Sequence, residues 1–391
     1  MTDTPASQLS SSSMATREHP FVSTLLERRS LHSQTNCTDT FQSRTFEVTL
    51  TRDPNQLPFR AGDSLAIATQ NPQVTVQPYI EILDQHPHFK DRPSLVKAFS
   101  TAIELSKLPA PNLKKLVQLF EFTQEEIKIV ENPSIKDIDS FDISHNMYAS
   151  SPLYRILVWA KQRHTKTWTD LTLETLLNTL PRIAPRLYSI ASSPTLEQDK
   201  IILMIGHHKD PQGLWYGACS HSLCYDLPLH SLVKTWIHPS RKFCDLDPER
   251  DLVMIGAGTG LAPYRSFLLE RVHQKSTAHH YLFFGERHKE TDFYYKELWE
   301  NLSIPLQINT AFSRDQKEKI YVQDRLWQQK ETIWKLLEKN ALFLLCGDAM
   351  HMAKDVESTL CTIASTLGKQ TDTKSWLRNL VRSGQLCKDV Y

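Results

Sequence analysis

The spacing of apolar residues divides the chain into regions of different periodicity. Near the start, Phe46–Leu50 and Ser64–Ile67 alternate like short strands around a turn-rich segment. From about residue 74 to residue 180 the apolar positions recur at helical spacing, as at Leu113 and Leu116, and prolines separate successive stretches. This pattern predicts a helical insert between two β segments.

Strand-like runs return after the insert and then alternate with helices. The first runs are Arg186–Ile190, Ile201–Gly206 and Leu232–Ile237. From residue 251 onward, helical stretches separate short apolar strands at Leu252–Ile255, Tyr281–Phe284 and Leu342–Cys346. Strands that alternate with helices predict a parallel α/β sheet.

Composition and charge narrow the classes of function. A net charge of +1 gives no argument for binding nucleic acid or an anionic membrane surface. No apolar run is long enough to span a bilayer, and the N-terminal segment MTDTPASQLSSSSMAT has no apolar core, so we expect neither a membrane anchor nor a secretory signal. The seven cysteines contain no CxxC pair, which disfavours a metal site and is typical of reduced thiols in a cytoplasmic protein.

Glycine is scarce, yet it clusters at one place. The chain has 11 glycines in 391 residues, and Gly256, Gly258 and Gly260 lie within five positions. They follow the apolar run 252–255 and precede a stretch of helical spacing with Pro263 near its start. In that context backbone N–H groups and a helix N-terminus hold a phosphate. The alternative is that these glycines only permit close packing.

Other candidate ligands follow neighbouring strands of the predicted parallel sheet. Ligands of such sheets bind outside the carboxyl ends of the strands. Three candidate strands end at Gly256, Gly285 and Gly347. The segments after them carry Gly258, Thr259, Arg287 and Asp348, with Cys346 at the end of the last strand. This convergence favours a nucleotide site at one edge of the sheet.

Two features point to different dinucleotides. Glu286, after the second strand, stands where an acidic residue would favour the free ribose hydroxyl of NAD. A later segment favours an additional phosphate, since it combines cations, hydroxyl donors and an aromatic ring at Ser313, Arg314, Lys319, Tyr321 and Gln323. Without the nucleotide loop, residues 314–319 would be interpreted as a solvated surface of mixed charge.

A second constellation covers residues 186–193. Alternation along the predicted strand puts Arg186 and Tyr188 on one face and Ser189 on the other. Downstream, a second anion-binding turn is predicted before a helix over 221–226, formed by Gly217, Ala218, Cys219 and Ser220. The pairs His207-His208 and His279-His280 lack the spacing of zinc ligands, so we expect surface histidines.

Seven ordered motifs carry a resemblance to a known family. They are RLYSIASSP, GACS, IGAGTGLAPYRSF, FFGERHKETDFYY, SRDQKEKIYVQDRL, LLCGDAMHMAKDVE and the closing KDVY. Together they resemble the ferredoxin–NADP reductase-like half of diflavin reductases, and within that family the NADPH-dependent sulfite reductase flavoprotein branch. The resemblance covers about residues 20–391.

The resemblance implies a multi-domain fold. An antiparallel FAD-binding β-barrel is expected, interrupted by a helical connecting insert and followed by a doubly wound NADP-binding α/β domain with a parallel sheet. The expected boundaries are a disordered Ser/Thr-rich tail at 1–19, the barrel at 20–73 and 181–245, the insert at 74–180 and the NADP-binding domain at 246–391.

The resemblance also implies roles for individual residues. Arg186 and the 217–220 turn would hold the FAD pyrophosphate, and Tyr188 would pack against the flavin. Ser189, Cys346 and Asp389 would surround the place of hydride transfer, and the terminal Tyr391 would cover the flavin. On the NADP side, Gly258 and Thr259 match the pyrophosphate loop. The expected adenosine and 2′-phosphate contacts are Arg287, Ser313, Arg314, Lys319 and Tyr321.

The expected activity is NADPH-dependent reduction of FAD, followed by electron delivery to a separate protein. Only about twenty residues precede the resemblance, too few for a flavodoxin-like domain, so FAD and NADPH are expected as cofactors without FMN. The acceptor would be a flavodoxin, a ferredoxin or a sulfite reductase haemoprotein. The alternatives are a non-catalytic flavin-binding interaction subunit and a reductase of another haem protein.

Overall fold

The computed structural model describes residues 14–33, 44–105, 107–131, 151–207, 216–241, 243 and 247–391. Most of the predicted tail, at 1–13, lies outside the described residues, as does His208. An antiparallel sheet comes first along the chain and a parallel sheet follows, which confirms the predicted order of the two sheets. No helix in the described part is long and apolar enough to cross a membrane.

Six described strands form the antiparallel sheet in the order β4-β3-β6-β1-β2-β5. They are Phe21–Ser30 (β1), Thr45–Thr51 (β2), Ser64–Ile67 (β3), Arg186–Ser189 (β4), Lys200–Gly206 (β5) and Leu232–His238 (β6). β3 and β4 are neighbours, with Ser64 opposite Ser189, although the helical region separates them in the chain. That region therefore leaves and re-enters the sheet at adjacent strands. A single bridge between Ile190 and Leu203 joins the end of β4 to β5.

The spacing of apolar residues did not predict strand β1. Its inward positions include Ser23, which is fully buried and shares a 2.9 Å hydrogen bond with the Thr235 hydroxyl on β6. A hydroxyl pair of this kind satisfies the polar groups inside the sheet. The serine nevertheless weakens the apolar alternation from which a strand is recognised.

Helices occupy the chain between β3 and β4 and share one apolar core. At its centre Tyr79, Phe99 and Phe120 are almost fully buried. Side chains that accept backbone N–H groups fix the start of several helices, as Asp91 does for Ser94 N at 3.2 Å. Among the described residues of this region the helices are Gln73–Leu83 (α1), Arg92–Thr101 (α2), Ala110–Leu119 (α3), Gln124–Glu131 (α4), Pro152–Arg163 (α5), Thr165–Thr169 (α6) and Leu173–Thr179 (α7).

After the helical region, a short helical segment precedes β6. It consists of Ala218–His221 (α8) and a π-helical turn at Ser222–Asp226. The predicted helix over 221–226 thus begins earlier, within the Gly217–Ser220 turn itself.

Five described strands form the parallel sheet in the order β11-β10-β7-β8-β9. They are Leu252–Ala257 (β7), His280–Glu286 (β8), Leu306–Phe312 (β9), Leu342–Gly347 (β10) and Leu386–Val390 (β11). Successive side chains enter different cores, as Leu344 and Leu345 do. Both faces of the sheet are therefore covered, as in a doubly wound fold.

The helices that cover the parallel sheet vary widely in length. A 3-10 turn at Gly258–Leu261 leads into the first of them. They are Ala262–His273 (α9), Lys289–Asp292 (α10), Lys296–Glu300 (α11), Val322–Gln328 (α12), Lys330–Glu338 (α13), Met352–Thr366 (α14) and Thr373–Arg382 (α15).

Helix α9 joins the two sheets. Its Arg265 makes a two-pronged ion pair with Glu197, with N–O distances of 2.7 and 2.9 Å, and donates to the Ala191 carbonyl at 2.8 Å. Ser266 Oγ donates to the carbonyl of Ser192 at 2.7 Å. Ser192 and its neighbour Ser193 are fully buried. The Ser193 hydroxyl donates to Glu270 of α9, whereas the Ser192 hydroxyl accepts the Ile202 N–H at 3.1 Å, although sequence grouped both serines with the nucleotide-binding residues.

Candidate functional site

The ends of three strands from the two sheets meet at one point. Cys346 near the end of β10 pairs in register with Asp389 on β11. From the antiparallel sheet, Ser189 at the end of β4 donates its hydroxyl proton to Asp389 Oδ2 at 3.1 Å. The structure thus brings together the three residues that the sequence assigned to hydride transfer, although 200 positions separate Ser189 from Asp389.

Cys346 is fully buried, and burial raises the pKa of its thiol well above the ordinary value, with the nearby Asp389 acting in the same direction. The group is therefore a neutral thiol at physiological pH. Beside it, the buried Tyr264 donates its hydroxyl to the Ile255 carbonyl at 2.6 Å, with the Leu344 carbonyl at 3.0 Å. Sequence reasoning counted Tyr264 only as an apolar helix position and missed this link between β7 and β10.

The C-terminal residue is held at the same place. The Tyr391 backbone N–H donates to the Gly347 carbonyl at 3.1 Å, and its own carbonyl accepts from Ala349 N at 3.1 Å. The phenol oxygen lies 2.7 Å from Thr259 Oγ1 in the glycine loop. The side chain is 64% exposed, so the ring covers the surface of the site instead of filling the core.

The three clustered glycines have different reasons to be glycine. A methyl group on Gly256 would lie 2.9 Å from the Tyr264 ring, and one on Gly260 would lie 2.2 Å from the Cys346 carbonyl oxygen. Gly258 has φ of +56°, and its nearest neighbour would be Glu286 Oε1 at 3.6 Å. Gly256 and Gly260 therefore serve packing, and Gly258 alone presents a left-handed backbone to open space.

Gly258 lines a cavity of about 470 Å³ at the carboxyl edge of the parallel sheet. Five of the expected dinucleotide contacts also line it, namely Arg287, Ser313, Tyr321, Gln323 and Asp348. Arg314 and Lys319 are exposed on the loop after β9, outside the cavity wall. Sequence reasoning missed His351, Met352 and Asp355, which complete the wall from α14 and the turn before it.

The cavity wall has polar atoms suited to a dinucleotide. Gln323 Oε1 is buried and finds no hydrogen-bond partner in the described part of the chain. Asp348 caps α14, because its carboxylate accepts the backbone N–H groups of residues 350–352, and these bonds lower its pKa. A cavity of this size with a left-handed glycine, an arginine and one unsatisfied polar atom fits a phosphate-bearing ligand.

The flavin-side residues lie around β4. Arg186 pairs with the buried Glu104 at 2.6 Å and donates to the Ala184 carbonyl at 2.9 Å. Tyr188 is partly buried against the core of the antiparallel sheet, where burial raises the pKa of its phenol and a hydrogen bond joins it to Cys219. As alternation predicts, Leu187 and Ser189 occupy the opposite face, and Leu187 is 51% exposed.

The 217–220 turn presents its backbone and hides its side chains. Cys219 is buried in the core of the antiparallel sheet, and that burial raises its pKa to about 11. Ser220 Oγ donates to the Gly217 carbonyl at 3.4 Å. An arginine and a turn of backbone N–H groups form a donor set suited to a pyrophosphate.

The expectation of surface histidines is wrong for His207 and His280, which are 7% and 1% exposed. His207 shares a 3.0 Å hydrogen bond with His221, which pairs with Asp226 at 3.2 Å. His280 Nδ1 lies 3.0 Å from the Pro305 carbonyl. Each histidine satisfies a ring nitrogen by a tertiary contact that adjacency in sequence does not reveal. Among the described residues, no group of three or more His, Cys, Asp or Glu side chains is arranged to hold a metal ion.

Comparison with known proteins finds relatives that match nearly the whole chain. Relatives include the sulfite reductase [NADPH] flavoprotein alpha-components of Photobacterium profundum, 28% identical over 97% of this chain and 61% of the relative, and of Aliivibrio fischeri, 29% identical over 99% and 63%. That of a Shewanella species is 30% identical over 100% and 64%. The chain thus spans about six tenths of the length of these curated relatives.

Family models match both halves of the chain. Residues 254–358 match the oxidoreductase NAD-binding domain, which contains the glycine loop and most of the cavity wall. Residues 13–221 match the FAD binding domain, which contains β1–β5 and the 217–220 turn. The chain therefore belongs to the FAD binding domain family and joins that domain to an oxidoreductase NAD-binding domain.

Proposed function

We propose that the chain is an NADPH-dependent FAD reductase that delivers electrons to a separate protein. The observation that most supports this proposal is the 3.1 Å contact between Ser189 and Asp389 beside Cys346. It joins a strand of the FAD-binding half to a strand of the NAD-binding half, at the edge where the dinucleotide cavity opens. NADPH is chosen over NADH because the relatives are named for NADPH and because Arg287, Ser313 and Tyr321 line the cavity.

The residues around β4 would hold FAD. Arg186 and the N–H groups of the 217–220 turn would bind the pyrophosphate, and Tyr188 would pack against the flavin. The ion pair with Glu104 fixes the Arg186 guanidinium beside β4. An arginine fork held in place loses less side-chain entropy on binding a phosphate.

The cavity would hold NADPH. Gly258 and Thr259 would contact the pyrophosphate, with Arg287, Gln323 and Asp348 along the wall. Ser313, Arg314, Lys319 and Tyr321 would surround the adenosine 2′-phosphate. Arg314 and Lys319 are exposed, so they would fold over the ligand from the loop after β9.

When bound, the two cofactors would supply the redox chemistry, a hydride passing from nicotinamide C4 to flavin N5. The protein orients the rings and balances charge. Ser189 presents its hydroxyl at the flavin side, held by Asp389. The Asp389 carboxylate lies where it can stabilise the positive charge that develops on the nicotinamide. The neutral Cys346 thiol adds a small contact without adding charge.

Tyr391 would act as a cover. Its ring lies over the surface of the site and its hydroxyl reaches Thr259. The ring would have to move before a nicotinamide could stack on the flavin. Exclusion of water by such a cover would protect the reduced flavin between turnovers.

Three broader expectations remain part of the proposal. The antiparallel sheet would close into a barrel through the Ile190–Leu203 bridge and the Ala191 N–H bond to the Ile202 carbonyl at 2.8 Å. The domain boundaries would be those given from the sequence. The protein would act in the cytoplasm, with a flavodoxin, a ferredoxin or a haemoprotein of the sulfite reductase type as acceptor.

A cofactor test addresses the proposal as a whole. Purified protein should carry FAD and be yellow, and anaerobic NADPH should bleach the flavin band much faster than NADH. NADPH should also drive rapid reduction of ferricyanide, which a non-catalytic interaction subunit would not support. Folded protein that takes up no FAD would refute the proposal. Reduction assays with each candidate acceptor would then identify the partner.

A substitution at Cys346 tests the site itself. Cys346→Ala should keep FAD and lower the rate of flavin reduction by about tenfold or more, because small displacements of reacting groups are costly. Cys361→Ala is the matched control, since Cys361 lies on α14 with its thiol 3.6 Å from the Thr373 carbonyl. Equal rates in both variants would remove Cys346 from the mechanism.

A further inference from the structure

Glu286 is an acidic side chain in the wall of the dinucleotide cavity. It ends β8, directly across from Gly258, so that a methyl group on Gly258 would lie 3.6 Å from Glu286 Oε1. Its other oxygen, Oε2, accepts the Arg287 backbone N–H at 2.7 Å. Any phosphate that binds the backbone at Gly258 must therefore approach the Oε1 atom of a carboxyl group.

A buried hydrogen-bond network supports this carboxyl group from behind. The Tyr294 hydroxyl lies 3.3 Å from Glu286 Oε1 and 3.2 Å from Thr45 Oγ1 on β2. His32, just after β1, lies with Nδ1 2.8 Å from Asp292 Oδ1, and its Nε2 accepts the Thr45 N–H at 2.8 Å. The FAD-binding half therefore fixes the position of an acid in the dinucleotide cavity.

The network shifts the pKa values of two carboxyl groups in opposite directions. Burial alone would raise the pKa of Asp292, but hydrogen bonds from His32, Thr291 and His288 outweigh it and lower that pKa. Burial raises the pKa of Glu286, and the charge of Asp292 raises it further. Of the two acids, Glu286 is therefore the one that takes up a proton more readily.

We infer that Glu286 contacts the dinucleotide as a neutral acid, with Oε1 donating a hydrogen bond to the pyrophosphate at Gly258. An ionised carboxylate there would repel the phosphates in a half-buried site, whereas a protonated one supplies a donor. Binding of the dinucleotide therefore takes up a proton. This inference rests on the proposed function, because it takes the cavity to be the NADPH site.

Other titratable groups face the same cavity, and their contributions to the pH dependence of binding must be separated from that of Glu286. Arg287 lies beside it on the same edge, while Asp348, His351 and Asp355 form the opposite wall. His351 lies 3.0 Å from Asp348. The 2′-phosphate of the ligand also titrates near pH 6. These groups remain when Glu286 alone is changed, so a comparison of variants isolates its contribution.

The test measures the affinity of FAD-loaded protein for NADP⁺ between pH 5.5 and 9. For the wild type, Kd should rise by up to about tenfold per pH unit above the pKa of Glu286 in the free protein, as expected for uptake of one proton. Glu286→Gln keeps the shape and a permanent donor, so it should bind like the wild type at low pH and more tightly at high pH. Glu290→Gln, four residues away and exposed, should keep the wild-type slope.

Calorimetry in two buffers of different ionisation enthalpy measures the proton uptake directly, without relying on the pH dependence of Kd. Net proton uptake at pH 7.5 to 8.5, absent in Glu286→Gln, supports the inference. Equal pH slopes in wild type and Glu286→Gln would overturn it while leaving the proposed function intact. Affinity that rises with pH through Glu286 would also overturn it, since the group would then accept from a ribose hydroxyl. Failure of both proteins to bind NADP⁺ at any pH would refute the proposed function as well.

Discussion

Replacement of Gly260 by alanine tests the assignment of the glycine loop most directly. The new methyl group would lie 2.2 Å from the Cys346 carbonyl oxygen, 2.7 Å from the Cys346 carbonyl carbon and 3.1 Å from Gly347 Cα. All three are backbone atoms of β10, so no side chain can rotate away to relieve the clash. Either β10 or the turn at 258–261 must move by roughly 1 Å, at a cost typical of overpacked cores.

The expected loss of folding stability in Gly260→Ala follows from this geometry. Inserting a methylene into a packed core typically costs about 1–3 kcal/mol, and a clash with backbone on a central strand belongs at the upper end. Gly384 provides the matched control, because its φ is +73° and nothing lies within 4 Å of the added methyl group. Gly384→Ala should therefore cost only the left-handed backbone penalty of about 1–2 kcal/mol. Gly258→Ala should resemble it in stability.

Urea unfolding of the ligand-free variants, followed by tryptophan fluorescence, measures these differences. Gly260→Ala should lose about 3 kcal/mol, clearly more than either of the other two variants. Gly258→Ala should show its main effect on NADP⁺ affinity instead, since its methyl group would point into the cavity. If Gly260→Ala proved no less stable than Gly384→Ala, the division of the loop into packing and ligand glycines would be wrong.

Two further changes test separate parts of the structure. Tyr391→Phe keeps the ring but removes the hydroxyl that lies 2.7 Å from Thr259 Oγ1. Because Thr259 is then free to turn to a phosphate, the Kd for NADP⁺ should fall by about 2- to 10-fold. An unchanged or higher Kd in a fluorescence titration would count against competition between Tyr391 and the ligand for Thr259. Glu126 accepts hydrogen bonds from Thr123 N at 2.8 Å, Trp159 Nε1 at 3.0 Å and His164 Nε2 at 3.0 Å. Burial alone would raise the pKa of Glu126, but these bonds lower it from 4.5 to about 2. A carboxyl group whose pKa is lowered by folding stabilises the native state at pH values above its pKa in the unfolded chain, and this stabilisation is lost as the pH falls. The stability advantage of the wild type over Glu126→Gln should therefore shrink between pH 4.5 and 2. A constant difference between the two proteins in thermal melts would contradict this.

The strands that the sequence missed in the parallel sheet have a common physical feature. β9 and β11 are the two edges of the sheet, and each carries polar residues, such as Asn309 on β9 and Lys388 on β11. The central strands β7, β8 and β10 are buried on both faces and appear as continuous apolar runs. Edge strands are covered less completely, so their sequences lack the signal by which the central strands were recognised.

Sequence reasoning named several residues that line the cavity, but not the contacts that shift their pKa values. The loop, Arg287 and Asp348 were named because strand ends converge at one edge of a parallel sheet, and Ser313 because its segment combines cations, hydroxyl donors and an aromatic ring. The raised pKa of Glu286 could not be predicted, since it depends on burial and on the charge of Asp292, against the hydrogen bond from Tyr294, whose hydroxyl also reaches Thr45 of the other sheet. Contacts between distant segments determine such properties, and no local pattern reports them.

The rigidity of the candidate site follows from one helix. α9 begins directly after the glycine loop, and its Arg265 binds the Ala191 carbonyl two residues beyond Ser189. The ion pair of Arg265 with Glu197 is largely buried, and burial makes loss of either partner costly. The dinucleotide loop and the flavin-side strand are therefore positioned by the same element, so the two halves cannot separate at the site without breaking that pair. Because the proposed hydride transfer would tolerate little change in distance, we expect the two halves to stay fixed at this contact, with motion confined to Tyr391 and the loop after β9.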